Sequence, residues 1–240
     1  VLPPAAMLAR LERRLELLTS GPRDAPERHQ ALRDTIGWSV DLLEEAEREL
    51  FRRLSVFSGG CTLEAVEDVC GGELGTLGSL IDKSLVRLDG ERFGMLETIR
   101  EHADDLLDAS PEADDVRRAH VAYYVGFARA AASGRDAAGQ TLGRTKLATE
   151  LDNFRAALRF SLDGAGAARA LELSALLRRF WFERGYLTEG RQWLDESLAA
   201  SPGPSATRAR ALSGNGVLAH YQGDYDQARE LCQEALDLSR

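Results

Sequence analysis

Residues 77–103, LGSLIDKSLVRLDGERFGMLETIREHA, constrain the fold more than any other stretch of the chain. Leu77, Leu80, Ile81 and Leu85 fall at i, i+3, i+4 and i+8, which places them on one face of a helix. Val86 to Leu88 and Arg92 to Met95 are then short extended runs. Asp89-Gly90 between them is a favoured hairpin pair, because glycine takes the positive φ that a tight turn demands. From Leu96 the helical period returns, with Ile99, Ala103 and Leu106 on one side. The expected order is helix, two-stranded wing, helix.

The residues before this stretch complete a unit. Glu45 to Phe57 carries Leu50, Phe51, Leu54 and Phe57 on one face, with Glu47, Arg48, Glu49 and Arg52 expected outside. Glu44 with Arg48 and Glu49 with Arg53 are spaced as i, i+4 ion pairs. After Ser58-Gly59-Gly60, Thr62 is placed to cap a helix whose Leu63, Val66, Val69 and Cys70 point inward. Residues 45–110 therefore read as a winged helix-turn-helix domain, a module that either reads DNA or serves as a protein joint. Further back, Leu8, Leu11, Leu15 and Leu18 stripe one helix. Leu32, Ile36, Val40 and Leu43 stripe a second, with Trp38 and Leu42 widening its buried face. Residues 1–44 form a helical subdomain in this reading.

Ser110-Pro111 marks a boundary, and the pattern beyond it is helical at about 112–133, 145–162, 168–184, 188–200, 205–221 and 225–239. Within it, FERGYLTEGRQWLDESLAAS (182–201) aligns with HYQGDYDQARELCQEALDLS (220–239). Gly185 matches Gly223, Leu187 matches Tyr225, Gly190 matches Ala228, Arg191 matches Arg229 and Leu198 matches Leu236. A glycine at the turn, a small residue where helices touch and an apolar seam are what a stacked helical hairpin needs. The Gly-x-Tyr-x-x-Ala pattern at 223–228 resembles a tetratricopeptide repeat. The fold expected is mainly α: a helical subdomain, a winged helix with a small β-hairpin, and a tetratricopeptide-like superhelix over 111–240.

Charge narrows the function. The chain has 39 acidic against 30 basic side chains, a net of −9. Residues 46–108 alone carry fourteen acidic and seven basic groups, a net of −7. Duplex binding draws most of its affinity from counterion release by clustered positive charge, so direct DNA binding by this chain is not expected. On the helix that would enter a groove, the positions expected to face outward are Gly78, Ser79, Asp82 and Lys83, which make a poor phosphate footprint. Three cysteines without a CxxC pair point to thiols in a reducing cytoplasm. No apolar run reaches the roughly 20 residues of a membrane span. The histidines His29, His102, His120 and His220 lie in four separate helices, and no metal-binding or nucleophile motif is present. The chain reads as non-catalytic and without a metal.

Several ordered segments together carry a family resemblance: RHQALRDTIGWSVDLLEEAERELFRRLSVFSGGCTLEAVEDVC, LIDKSLV, MLETIREHA and ELDNFRAAL. They resemble the bacterial signal-transduction ATPases of the STAND or NB-ARC class, found among LuxR-type and antibiotic-pathway transcriptional regulators. The resemblance implies a nucleotide-binding core upstream, with ATP or ADP bound there. The winged helix would pack on that core as an intramolecular partner, and the repeats would sense a protein or small effector. No GxxxxGK[ST] loop occurs in these 240 residues, so no nucleotide-binding residue is assigned among them. The start at Val1 and an end inside a regular helix at Arg240 suggest a piece of a longer protein.

The class often carries Met-His-Asp in its winged helix. Here the aligned triplet is Met95-Leu96-Glu97, and these three with Arg100 are the candidates for an interdomain switch. Arg178, Arg179, Arg184 and Arg191, with Trp181, Tyr186 and Trp193, are candidates for a partner surface. The arginines either meet an acidic ligand or merely solvate a helix. Other readings are a winged-helix DNA-binding protein with an appended sensor, and a tetratricopeptide scaffold without a switch. An apolar face on the last helix is expected to promote a homodimer.

Overall fold

Glu44 starts the first complete helix, α1 (Glu45–Arg53), by donating its backbone N–H to the Glu47 carboxylate at 2.8 Å. In this computed structural model, which describes residues 35–132, 145–164 and 166–240, the chain divides into two compact units, with the division between Val116 and Arg117. The leucine stripe at 8–18 and the start of the second helix lie outside the described residues. Residues 35–41 are helical and bury Ile36 and Val40, but Trp38 is 67% exposed and Leu42 63%. The widened buried face expected there is a single narrow stripe.

α1 runs into a 3₁₀ turn, Leu54–Val56, and buries Leu50, Phe51, Leu54 and Phe57 as their spacing requires. The Thr62 hydroxyl accepts the Ala65 N–H at 3.3 Å and opens α2 (Leu63–Ala65). This helix widens into a π turn, Val66–Cys70, and Gly71 ends it in the left-handed region at φ 61°. α3 (Leu74–Asp82) buries Leu77 and Leu80. The wing follows as β1 (Arg87–Asp89) and β2 (Arg92–Gly94), antiparallel with Arg87 opposite Gly94 and Asp89 opposite Arg92. The turn is therefore Gly90-Glu91, one residue later than the sequence suggests, with Gly90 at φ 61°.

Cys61 adds a bridge to the hairpin, exchanging two 2.8 Å backbone hydrogen bonds with Phe93. Gly60 makes that approach possible. A Cβ there would sit 2.7 Å from the Phe93 carbonyl oxygen. α4 (Glu97–Asp108) closes the unit by burying Ile99, Ala103 and Leu107. Leu107, not the expected Leu106, is the side chain fully removed from water. Each such buried leucine or phenylalanine contributes about 1.5–3 kcal/mol relative to exposure.

The second unit is helical throughout its described residues. Its elements are α5 (Ala113–Ala132, entering the unit at Arg117), α6 (Leu151–Asp163), α7 (Ala167–Arg184), α8 (Leu187–Ala200), α9 (Ala206–Tyr221) and α10 (Tyr225–Asp237). The repeat seen in the sequence is present as two helical hairpins, α7–α8 and α9–α10. Gly185 (φ 75°) and Gly223 (φ 83°) make the two equivalent turns. Gly190 lets α8 close on its neighbours, since a Cβ there would sit 2.8 Å from Trp181 Cβ and 2.9 Å from Leu218 Cδ1. Ser205 caps α9 by accepting the Arg208 N–H at 3.0 Å. The chain is mainly α, with one small hairpin wing and stacked helical pairs.

Candidate functional site

In the first unit the wing and the start of α4 enclose a cleft of about 380 Å³, lined in part by Arg87, Asp89, Arg92, Met95, Glu97 and Arg100. Arg92 donates to the Gly60 carbonyl at 2.8 Å. Arg100 donates to Glu97 at 2.8 Å and to the Ser55 carbonyl at 3.2 Å. Burial opposes the Arg100 charge, but the Glu97 carboxylate outweighs it and holds the pKa above its ordinary value. Of the four switch candidates, Met95, Glu97 and Arg100 line one cleft, while Leu96 is turned to solvent.

The helix that would read DNA is held differently from expectation. Glu47, placed outside by the sequence pattern, is buried. Its Oε1 accepts both the Ser79 hydroxyl and the Lys83 ammonium. Those hydrogen bonds, Lys83 first and Ser79 second, bring the Glu47 pKa down to about 2. Ser79 and Lys83 are thus both engaged by α1, although the Lys83 side chain stays partly exposed. Beside them, the expected Glu44–Arg48 pair is replaced by Arg48–Glu45 at 3.3 Å, and Arg53–Glu49 forms at 3.5 Å. Glu112 accepts from Arg52 Nε at 2.7 Å and from Arg53 Nη2 at 2.6 Å, fastening α1 to the segment that follows α4 within the first unit.

In the second unit two of the expected partner-surface residues are core. Trp181 is only 1% exposed because Gly190 sits against its ring, and Trp193 is buried under the Arg159 guanidinium, 5.1 Å from the ring centroid. Arg191 bridges the two hairpins, donating to Gln222 at 2.8 Å, to Asp224 at 3.0 Å and to Gln227. Arg179 pairs with Glu183 at 2.7 Å, while Arg184 and Tyr186 are exposed. Arg178 is different. It lines an open groove of about 740 Å³ with Arg210, a residue the sequence reading did not single out. Burial, then the like charges of Arg210 and Arg179, lower the Arg178 pKa from its ordinary value. The signal available in sequence was Ala206, Ala209, Arg210 and Ser213, one face of α9 at helical spacing.

Among the described residues no group of three or more His, Cys, Asp or Glu could hold a metal. No described helix is long and apolar enough to cross a membrane. Cys61 and Cys70 are buried thiols, and Cys232 is an exposed one.

No family model matches the chain. It is similar to proteins of Mycobacterium bovis and Mycobacterium tuberculosis provisionally named HTH-type transcriptional regulators, at 38% identity over 218 residues. That match takes in 84% of this chain and 24% of theirs, so the chain spans about a quarter of the length of these relatives. An uncharacterized M. bovis protein is 33% identical over 127 residues, 48% of this chain and 32% of that one. Among solved structures, the chain is similar to a STAND protein with a tetratricopeptide repeat sensor from Pyrococcus horikoshii. The likeness has 16% identity and a TM-score of 0.33, over 83% of this chain and 45% of that one.

Proposed function

We propose that this chain is a non-catalytic regulatory and sensing segment of a larger STAND-type transcription regulator. Its helical hairpins take up a partner, and the winged unit passes the resulting change to a nucleotide-dependent switch elsewhere in the parent protein. The observation that carries the reading is the repeated hairpin of α7–α10, in which equivalent glycine turns at Gly185 and Gly223 stack one helical pair on the next. The similarity to transcriptional regulators supports a regulatory setting. The net charge of −7 over 46–108, with Lys83 tied to Glu47, favours the winged unit as a joint over a groove-reader.

Such coupling requires a partner that binds two states of the parent unequally; reversing a 1:99 population takes about 5.5 kcal/mol of differential binding. The test is partner affinity of the parent protein in its ATP-bound and ADP-bound forms. A difference of tenfold or more is expected. Equal affinity in both forms would leave a plain scaffold, and duplex retardation by this chain alone at low salt would restore the DNA-reading alternative.

A further inference from the structure

We propose that Arg155 and Arg191 are two members of one repeated clamp, which fixes the orientation of each helical pair on the next. The device belongs to the helical stack alone, whether or not the parent protein switches on a nucleotide.

The repeat extends one step further back than 182–201 and 220–239. α6 aligns with α8: Leu151 matches Leu187, Arg155 matches Arg191, Leu158 matches Leu194, Ser161 matches Ser197 and Leu162 matches Leu198. α6 is therefore the second helix of an earlier pair. It packs on α5 through Tyr124 and Phe154, whose ring centroids are 5.6 Å apart.

The clamp keeps this register. Arg155 and Arg191 are each the fifth residue of their helix, and Glu189 and Gln227 are each the third residue of the next second helix. Arg155 Nε and Nη2 donate to the two carboxylate oxygens of Glu189, both at 2.7 Å. Arg191 reaches forward in the same way, donating to Gln227 and, at 3.0 Å, to Asp224, which caps α10. The acceptors are themselves held. Trp193 Nε1 donates to Glu189 at 3.3 Å, and Asp224 accepts the Gln227 N–H at 3.4 Å. Ion pairs that merely solvate a surface have no reason to share helix positions from one pair to the next.

The apolar seams hold the pairs together, but burial is non-directional and resists rotation weakly. A guanidinium fork on a carboxylate has one good orientation. The Arg155 and Glu189 side chains are partly exposed, so their pairing adds little stability and acts on direction. The Glu189 carboxylate holds the Arg155 pKa above its ordinary value, and the Arg155 hydrogen bond holds that of Glu189 below. Both charges therefore persist around neutral pH. Arg229, the fifth residue of α10, pairs within its own helix with Asp226 at 3.2 Å, which makes it the internal control.

The test is double electron–electron resonance on the whole chain, with spin labels at the native exposed Cys232 on α10 and at Asp163→Cys on the exposed end of α6. Cys61 and Cys70 are buried, and the labelled distance spans both clamps. Arg155→Gln and Arg191→Gln are each expected to shift the mean distance by about 2 Å or to widen the distribution as much. Glu189→Gln should match Arg155→Gln, and the double variant should go no further than either single one. Salt that shortens the screening length from about 10 Å to about 3 Å should widen the distribution of the unsubstituted chain. Arg229→Gln should leave it unchanged, and far-UV circular dichroism establishes that each variant is folded. Unchanged distributions in folded Arg155→Gln and Arg191→Gln overturn the clamp, whatever the variants do to the melting temperature. An equal change in Arg229→Gln also overturns it, since any surface charge would then have the same effect.

Discussion

The carboxylate of Glu47 and the ammonium of Lys83, 36 residues apart, share one ion pair that fixes α3 against α1. The Ser79 hydroxyl joins it from the preceding turn of α3. The helix most exposed to a functional misreading is therefore fastened through the very side chains that would have touched phosphate.

Glu47→Gln should destabilise the first unit by about 2 kcal/mol, because Lys83 loses a charged partner and Ser79 keeps only a neutral one. The acid dependence follows from the lowered pKa. The folded carboxyl titrates at about 2 against 4.5 for an ordinary glutamate, so its contribution is complete above pH 4.5 and fades as the pH falls toward 2. Urea melts of the parent chain and the variant between pH 2 and 7 check this. Parallel curves throughout would remove the ion pair as a source of stability.

Two glycine-to-alanine substitutions should move stability in opposite directions. Gly126, on α5, has nothing within 4 Å of a built Cβ, and alanine there should gain up to about 1 kcal/mol of helix propensity. A Cβ at Gly190 would meet Trp181 Cβ at 2.8 Å and Leu218 Cδ1 at 2.9 Å, so the same change should cost about 1–3 kcal/mol through overpacking. Thermal melts of the two variants decide it. A stabilised Gly190→Ala would mean that the hairpins tolerate separation.

These two glycines also show how far the sequence was legible. Periodicity located the wing, α4 and most helices of the second unit to within a residue or two, because each apolar stripe faces a single core; α3 ends three residues before the expected Leu85, and α6 starts at Leu151, six residues after the expected start. It could not separate Gly126 from Gly190, since a helical glycine looks the same whether a neighbouring helix touches it or not. Glu47 was misplaced for a related reason. A carboxylate on a helix is normally solvated, and only Lys83 and Ser79, which the fold brings back from another helix, make its burial tolerable. Trp181 and Trp193 stand among the partner-surface candidates of the sequence, yet both are buried in the helical packing of the second unit. Arg178 was legible, but Arg210 was not, because its lack of an acidic partner is a three-dimensional property.

His120 should stay neutral across the physiological range. Burial lowers its pKa from 6.5 to about 4, against a weaker opposing hydrogen bond with Asn153. A folded pKa below the unfolded one means that protonation favours unfolding. Stability of the second unit should therefore fall as the pH drops from 6.5 to 4, with no further loss from this group below that. His120→Gln should flatten that interval in pH-dependent melts. An imidazole resonance titrating near pH 6.5 in the folded chain would contradict the burial argument.

The two hairpins differ in how far the same repeat position is covered. Leu198, in the first hairpin, is 7% exposed, because α9 seats on α8 there and Arg208 donates to the Leu198 carbonyl at 2.8 Å. Its repeat counterpart Leu236 is 47% exposed, and Val217, Tyr221 and Tyr225 add apolar surface on the same hairpin. Val217, Tyr221 and Tyr225 line a depression of about 370 Å³ with Ala228 and Cys232. Exposed apolar side chains of this kind lower their free energy by excluding water against a copy of the chain. The chain should therefore self-associate at high micromolar concentration, and Val217→Glu should return it to monomer without altering the helical spectrum. Sedimentation velocity over a concentration series reads the outcome directly. A wild-type chain that sediments as a monomer throughout would show that the tyrosine hydroxyls keep this face sufficiently hydrated by themselves.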